Sequence, residues 1–245
     1  MSIVKITFSP TGGTDKAAEL LCAGLGGTDR RVDLCRSGET YAAAADDLCV
    51  IAAPAYGGRV PALAAARVAA LRGNGARAVV LASYGNRAVD DTLLELYDLC
   101  TAAGFRVLAG VSAVTEHSLI RDFGAGRPDA ADAAELRAFG ERILREAGET
   151  PAIPGKRPYK EWKGGTVPGL VGECIRCGKC AELCPAAAIS PEAPEKTDAE
   201  KCAFCMRCVF ICPRKARGLA PETESLMREK LGAVCSGHKN NELFL

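Results

Sequence analysis

Eight of the chain's thirteen cysteines fall between positions 174 and 212, in two copies of C-x2-C-x2-C-x3-C-P offset by 28 residues. "CIRCGKCAELCP" (174–185) maps onto "CAFCMRCVFICP" (202–213), cysteine for cysteine and proline for proline. Three thiolates spaced in this way can wrap one face of a cubane iron–sulfur cluster, while the fourth, followed by Pro, ligates the other cluster. That rule gives Cys174, Cys177, Cys180 and Cys212 to one 4Fe-4S cluster and Cys202, Cys205, Cys208 and Cys184 to a second. Zinc sites use paired C-x2-C groups with longer spacers, often with His, and no His lies inside this repeat. An odd number of cysteines with no export signal also points to reduced thiols or thiolate ligands rather than a disulfide framework.

A second constellation sits near the N-terminus. "KITFSPTGGTDKAAELL" (5–21) reads as a buried strand, a tight loop and an amphipathic helix. A helix N-terminus offers unpaired N–H groups and partial positive charge to an anion. Ser9, Thr11 and Thr14 add hydroxyls, Gly12 and Gly13 allow close backbone approach, and the six loop residues hold no Lys or Arg. The loop lacks the Gly-Lys-Ser/Thr of a P-loop and the G-x-G-x-x-G of a dinucleotide fold. A phosphate monoester fits; so does an ordinary turn capped by Ser or Thr.

Two further loops share a composition. "PAYGGRVP" (54–61) and "SYGNRAVDD" (83–91) each carry a Tyr, a Gly and an Arg. Two aromatic rings can flank a flat ligand, and Arg59 and Arg87 can meet its negative charge. In "VTEHSLIRDFG" (114–124) His117 is a candidate proton donor, hence a candidate catalytic residue, with Ser118 beside it.

The elements that must position these residues alternate. Strands are expected at 3–8, 30–34, 47–53, 77–83 and 106–114, with helices at 14–25, 61–71, 89–104 and 129–147. Continuous apolar runs such as "DLCVIAA" suit strands buried on both faces. The order implies a doubly wound α/β fold, whose ligands sit beyond the carboxyl ends of the strands. Residues 1–147 form this domain, a Pro/Gly-rich linker or extended arm follows at 148–172, and the cysteine domain spans 173–217. Residues 218–245 are expected to form one short helix at 221–231 and then fray.

With 245 residues, 48% apolar, the chain can build one good core and a small satellite. A net charge of +1 gives no general drive toward nucleic acid or an anionic membrane. No signal peptide or membrane-length apolar run is visible, so a cytoplasmic location is expected. Cys22, Cys49 and Cys100 read as packing residues; Cys35 and Cys235 have no assignable role.

The cysteine repeat resembles the bacterial two-cluster ferredoxins, with one departure: Arg217 stands where the first half has Ile189. "SPTGGT" is similar to the T/S-x-T-G-x-T phosphate loop of flavodoxins. Together the motifs resemble the flavodoxin–ferredoxin fusion proteins of anaerobic bacteria. The resemblance implies a flavodoxin-like five-stranded parallel sheet, order 2-1-3-4-5, and a small C-terminal α+β ferredoxin-like domain. It implies FMN held by Ser9, Thr11, Gly12, Gly13 and Thr14, with its ring against Tyr56, Gly57, Tyr84, Gly85 and Asn86, and further cofactor contacts from Pro54, Ala55, Gly58, Ser83 and Arg87. Flavodoxins often place a Trp on one flavin face, whereas the only Trp here is Trp162, in the linker. The implied function is electron transfer between two 4Fe-4S clusters, FMN and a redox partner such as a ferredoxin or oxidoreductase. Direct reduction of a small molecule at FMN is the alternative, and a homodimer is left open.

Overall fold

The strands follow the apolar runs. In the computed structural model, which describes residues 1–148 and 150–245, β1 (Ile3–Thr7), β2 (Arg30–Asp33), β3 (Leu48–Pro54), β4 (Arg77–Tyr84) and β5 (Arg106–Val114) are parallel and lie in the order β2-β1-β3-β4-β5. Every residue of β1 and β3 is buried, as a sheet covered on both faces requires. Side chains alternate between two cores. Ile6, Ile51 and Val80 face α2 (Ala62–Ala69) and α3 (Thr92–Ala102); Val50, Val79 and Val111 face α1 (Gly13–Leu25) and α4 (Ala130–Glu146).

Helices α1 and α4 meet through glycine. A Cβ on Gly24 would fall 1.9 Å from the Arg137 carbonyl oxygen, and one on Gly140 would fall 2.5 Å from that of Leu21. This close crossing fixes the axis of α1 and hence where its N-terminus points. The strand order reverses between β1 and β3, which opens a crevice at their carboxyl ends.

The expected arm is extended, and it is held along the first domain. Asp91 accepts hydrogen bonds from the Lys156 and Lys160 N–H groups at 2.9 and 2.7 Å. Arg157 pairs with Asp98, and Lys160 with Asp90. The Ile153 side chain fills the space a Cβ on Gly110 would need. The arm's end joins the cysteine domain: β6 (Gly169–Leu170) pairs antiparallel with β7 (Arg217–Gly218). That domain also has two one-turn helices, α5 (Lys179–Glu182) and α6 (Arg207–Phe210).

The tail corrects the expectation of fraying. Helix α7 runs over Pro221–Cys235, and β8 (Glu242–Phe244) then adds a sixth strand, antiparallel, at the edge of β5. The physical reason is Asn241, which is buried. Its carbonyl accepts from the Val114 N–H at 2.8 Å, and its amide donates to Asp132 and Glu135. Leu243 and Leu245 pack against the α1/α4 core. No helix among the described residues is long and apolar enough to cross a membrane.

Candidate functional site

A cleft of about 270 Å³ opens at the carboxyl ends of β1, β3, β4 and β5. Thr11, Gly13 and Thr14 line its floor, with Pro54 to Gly57 from the β3 loop and Ser83 to Gly85 and Arg87 from the β4 loop. The Thr14 and Ser83 hydroxyls share a buried hydrogen bond of 2.7 Å, which ties two of these loops together. Gly12 stands at the N-cap of α1 with φ 92° and itself offers no side chain to cap the helix. A Cβ at Gly12 would meet nothing within 4 Å. Backbone donors beside open space fit an anion such as a phosphate group.

Not every expected residue faces the cleft. The Ser9 hydroxyl accepts from the Asp15 N–H at 2.9 Å. Ser9 and Gly12 border an adjoining groove, into which Arg207 of the cysteine domain also extends. Gly58, φ 87°, backs onto Asp90. Asn86 is buried and donates to the Cys235 and Gly237 carbonyls at 2.6 and 2.9 Å, so its amide anchors the end of α7. Arg59 lies behind the loop, bonded to both oxygens of Glu95 at 2.7 and 2.8 Å.

Residues from outside the first domain wall the cleft. Trp162 of the arm, Phe204 from between Cys202 and Cys205, and Met227 and Leu231 of α7 all line it. Trp162 packs edge-on to Tyr56, centroids 6.3 Å apart, and to Phe204, 6.0 Å apart. Gly57, φ 61°, is required here, because a Cβ would fall 2.1 Å from Trp162 Cδ1. Trp162 stands out in the sequence as the sole Trp, and Phe204 as the aromatic inside a C-x2-C; neither can be placed at the cleft without the chain's return path.

His117 lines the cleft against Gly85. Burial, and then the nearby Arg87 charge, push its pKa down to about 4. Its Nδ1 accepts the Leu119 and Ile120 N–H groups, both at 3.2 Å, so the proton of the neutral ring sits on Nε2.

The cysteines ring two further cavities. One is lined by Cys174, Cys177, Cys180 and Cys212, the other by Cys184, Cys202, Cys205 and Cys208. The backbone repeats with the sequence. Arg176 and Phe204 both have positive φ (52° and 55°), as do Gly178 and Met206 (76° and 58°), and Ala187 and Lys215 (49° and 51°). These turns aim N–H groups at sulfur. Arg176 and Phe204 donate to Cys174 and Cys202 at 3.4 Å, and Ala188 and Ala216 to Cys184 and Cys212 at 3.3 Å. Such N–H···S bonds suit thiolates bound to a cluster. Among the described residues no three His, Cys, Asp or Glu side chains are placed to hold a single metal ion.

Residues 173–217 match the 4Fe-4S dicluster domain. The chain joins a doubly wound α/β fold, whose parallel strands lie in the order β2-β1-β3-β4-β5, to residues that match that domain. A 44-residue stretch, 18% of this chain, is 52% identical to a component of the ion-translocating oxidoreductase complex of Methanosarcina acetivorans and spans only 17% of that protein. The first domain is similar to solved structures at low identity. Flavodoxin 1 from Bacillus cereus matches at 16% identity and a TM-score of 0.40, covering 60% of this chain and 99% of that one. A rubredoxin oxygen:oxidoreductase from Desulfovibrio gigas matches at 16% identity and a TM-score of 0.41, covering 59% of this chain and 35% of that one. Besides the contact of Phe204 with Trp162, residues of the 4Fe-4S dicluster domain meet the α/β fold elsewhere. Arg67 of α2 donates to the Pro185 carbonyl at 2.6 Å, Arg121 stacks over Phe210 at 4.9 Å, and Arg207 reaches the groove beside Ser9.

Proposed function

We propose that the chain moves electrons between two 4Fe-4S clusters and FMN bound in the cleft, and onward to a redox partner. The observation that carries this reading is Phe204, which belongs to the Cys202–Cys208 motif and also to the wall of the cleft. FMN would supply one- and two-electron chemistry and each cluster one-electron chemistry.

The residues' parts follow from their positions. The α1 N-terminus, with Thr11 and Thr14, would hold the phosphate. Tyr56, Trp162 and Phe204 would offer aromatic surface to the ring and exclude water from one side. Cys184, Cys202, Cys205 and Cys208 would hold the cluster nearer the cleft, and Cys174, Cys177, Cys180 and Cys212 the farther one. This order puts the clusters in series with the flavin.

Direct reduction of a small molecule would need an acid at the flavin. His117, the candidate for that role, is neutral at pH 7, and two N–H groups occupy its Nδ1. In that form it can donate a hydrogen bond from Nε2.

The test is an anaerobic redox titration of the purified protein followed by absorbance. Flavin bands and a broad iron–sulfur shoulder that bleach in linked steps are the expected result. Iron–sulfur absorbance with no flavin, even after FMN is added, would overturn the reading of the cleft.

A further inference from the structure

The repeat that builds the dicluster domain is broken at one buried position. Ile189 in the first half corresponds to Arg217 in the second, and the two are equally hidden, at 4% and 3% exposure. A buried guanidinium is costly unless its charge is compensated. Among the described residues Arg217 hydrogen-bonds to no carboxylate. Nη1 donates to the Pro194 carbonyl at 2.7 Å, and Nη2 to the Pro168 carbonyl at 3.3 Å and to the Thr197 hydroxyl. Nε is buried and has no hydrogen-bond partner among the described residues.

The anchor points locate the charge. Arg217 and Pro194 line the cavity of Cys174, Cys177, Cys180 and Cys212, whereas Pro168 and Thr197 line the cavity of Cys184, Cys202, Cys205 and Cys208. The guanidinium therefore stands in the partition between the two sets of thiolates, and those thiolates are its available counter-charge. We propose that Arg217 is a buried cation shared by the two clusters, which raises their reduction potentials and stabilises the electron that crosses between them. This rests on the two-cluster reading above. When a cluster takes one electron from a reductant it gains one negative charge, with no proton moved and no bond broken. A fixed cation in a water-poor interior favours that more negative state, and Ile189 offers nothing comparable on its side of the repeat.

The test is an anaerobic titration of the whole holoprotein with dithionite and redox mediators, followed by electron paramagnetic resonance, in wild type, Arg217→Ile and Arg217→Lys. Ile is the residue the repeat itself places at the matching position. We expect Arg217→Ile to shift at least one cluster's reduced-to-oxidised ratio toward oxidised by tenfold or more at fixed potential, about 59 mV for one electron. Arg217→Lys should stay close to wild type, and the flavin potential should not follow. Iron and sulfide are counted in each sample, so a protein with one cluster defeats the two-cluster reading separately from the role of Arg217. If Arg217→Ile loses its clusters, Arg217→Gln replaces it as the uncharged partner of Arg217→Lys. Equal potentials in the charged and uncharged variants would overturn the proposal. So would loss of clusters in all three, because Arg217 would then be a structural clamp.

Discussion

Trp162 and Phe204 meet edge to face, their ring centroids 6.0 Å apart and their planes at 84°. One ring belongs to the arm that crosses the first domain, and the other to a cysteine motif of the second. Each contributes aromatic surface to the cleft, and an aromatic contact of this kind is worth about 1 kcal/mol beyond its buried area. Trp162→Ala and Phe204→Ala should each weaken FMN binding about fivefold, the same energy expressed as affinity. The double variant should lose less than the sum, since the rings support each other. Titration of the flavin-free proteins with FMN, read by quenching of the flavin's own fluorescence, measures both effects. Unchanged affinity in the single variants would remove the rings from the site.

Gly12, in the groove beside the cleft, and Gly57, in the cleft's wall, separate two reasons for glycine. At Gly12 there is room for a side chain but φ is 92°, so Gly12→Ala should cost about 1–2 kcal/mol through the backbone alone. FMN affinity should fall with it. At Gly57 the obstacle is Trp162 itself, 2.1 Å from where a Cβ would lie. Gly57→Ala should therefore displace the indole and shift the Trp emission, whereas Gly12→Ala should leave it in place. Emission spectra of the two variants distinguish these outcomes directly.

Gly24 presents two opposed effects. Replacing a mid-helix Gly by Ala ordinarily stabilises by about 1 kcal/mol. Here the new methyl would meet the Arg137 carbonyl at 1.9 Å, and forcing atoms into a packed interface costs about 1–3 kcal/mol or more. Because the obstructing atom is backbone, the collision should win. Gly24→Ala should lower the melting temperature and, by tilting α1, weaken FMN binding as well. A variant more stable than wild type would contradict the α1/α4 crossing.

His117 predicts a pH dependence. Its folded pKa, about 4, lies below its ordinary 6.5, chiefly through burial. The unfolded chain therefore binds a proton more readily as pH falls. The stability associated with the neutral ring is fully present above about pH 6.5 and is lost progressively down to about pH 4, by on the order of 3 kcal/mol in total. His117→Asn can keep an acceptor for the Leu119 and Ile120 N–H groups while removing the titration. Melting temperatures measured from pH 7 to pH 4 should fall more steeply for wild type than for the variant. Parallel curves would mean that His117 does not carry this linkage.

Much of the fold is legible in the sequence because its signals are local. Cysteines two residues apart must lie on one turn of chain, and the apolar runs around Val50 and Val79 suit covered strands. What stays hidden depends on segments distant in sequence. Asn86 sits in a loop rich in ligand-like residues, yet its amide turns to the end of α7, about 150 residues on. The arm is rich in Pro, Gly and Lys, which reads as solvated chain, but its partners Asp90 and Asp91 lie just before α3 and Asp98 on it. The closing strand is three residues long, too short for periodicity to register. Leu243 and Leu245, alternating around Phe244, are its only local trace.

That short strand changes the mechanical character of the molecule. The dicluster domain enters from an arm fastened along α3 and leaves through a segment paired to β5. It is thus secured on both sides, like a panel riveted along two edges rather than hung on a hinge. A carrier on a free tether delivers its electron by diffusing back and forth, and thickening the solvent slows it. A panel fixed at two edges has no such excursion to make, so glycerol or sucrose should leave the internal transfer rate unchanged while slowing every encounter with an outside partner.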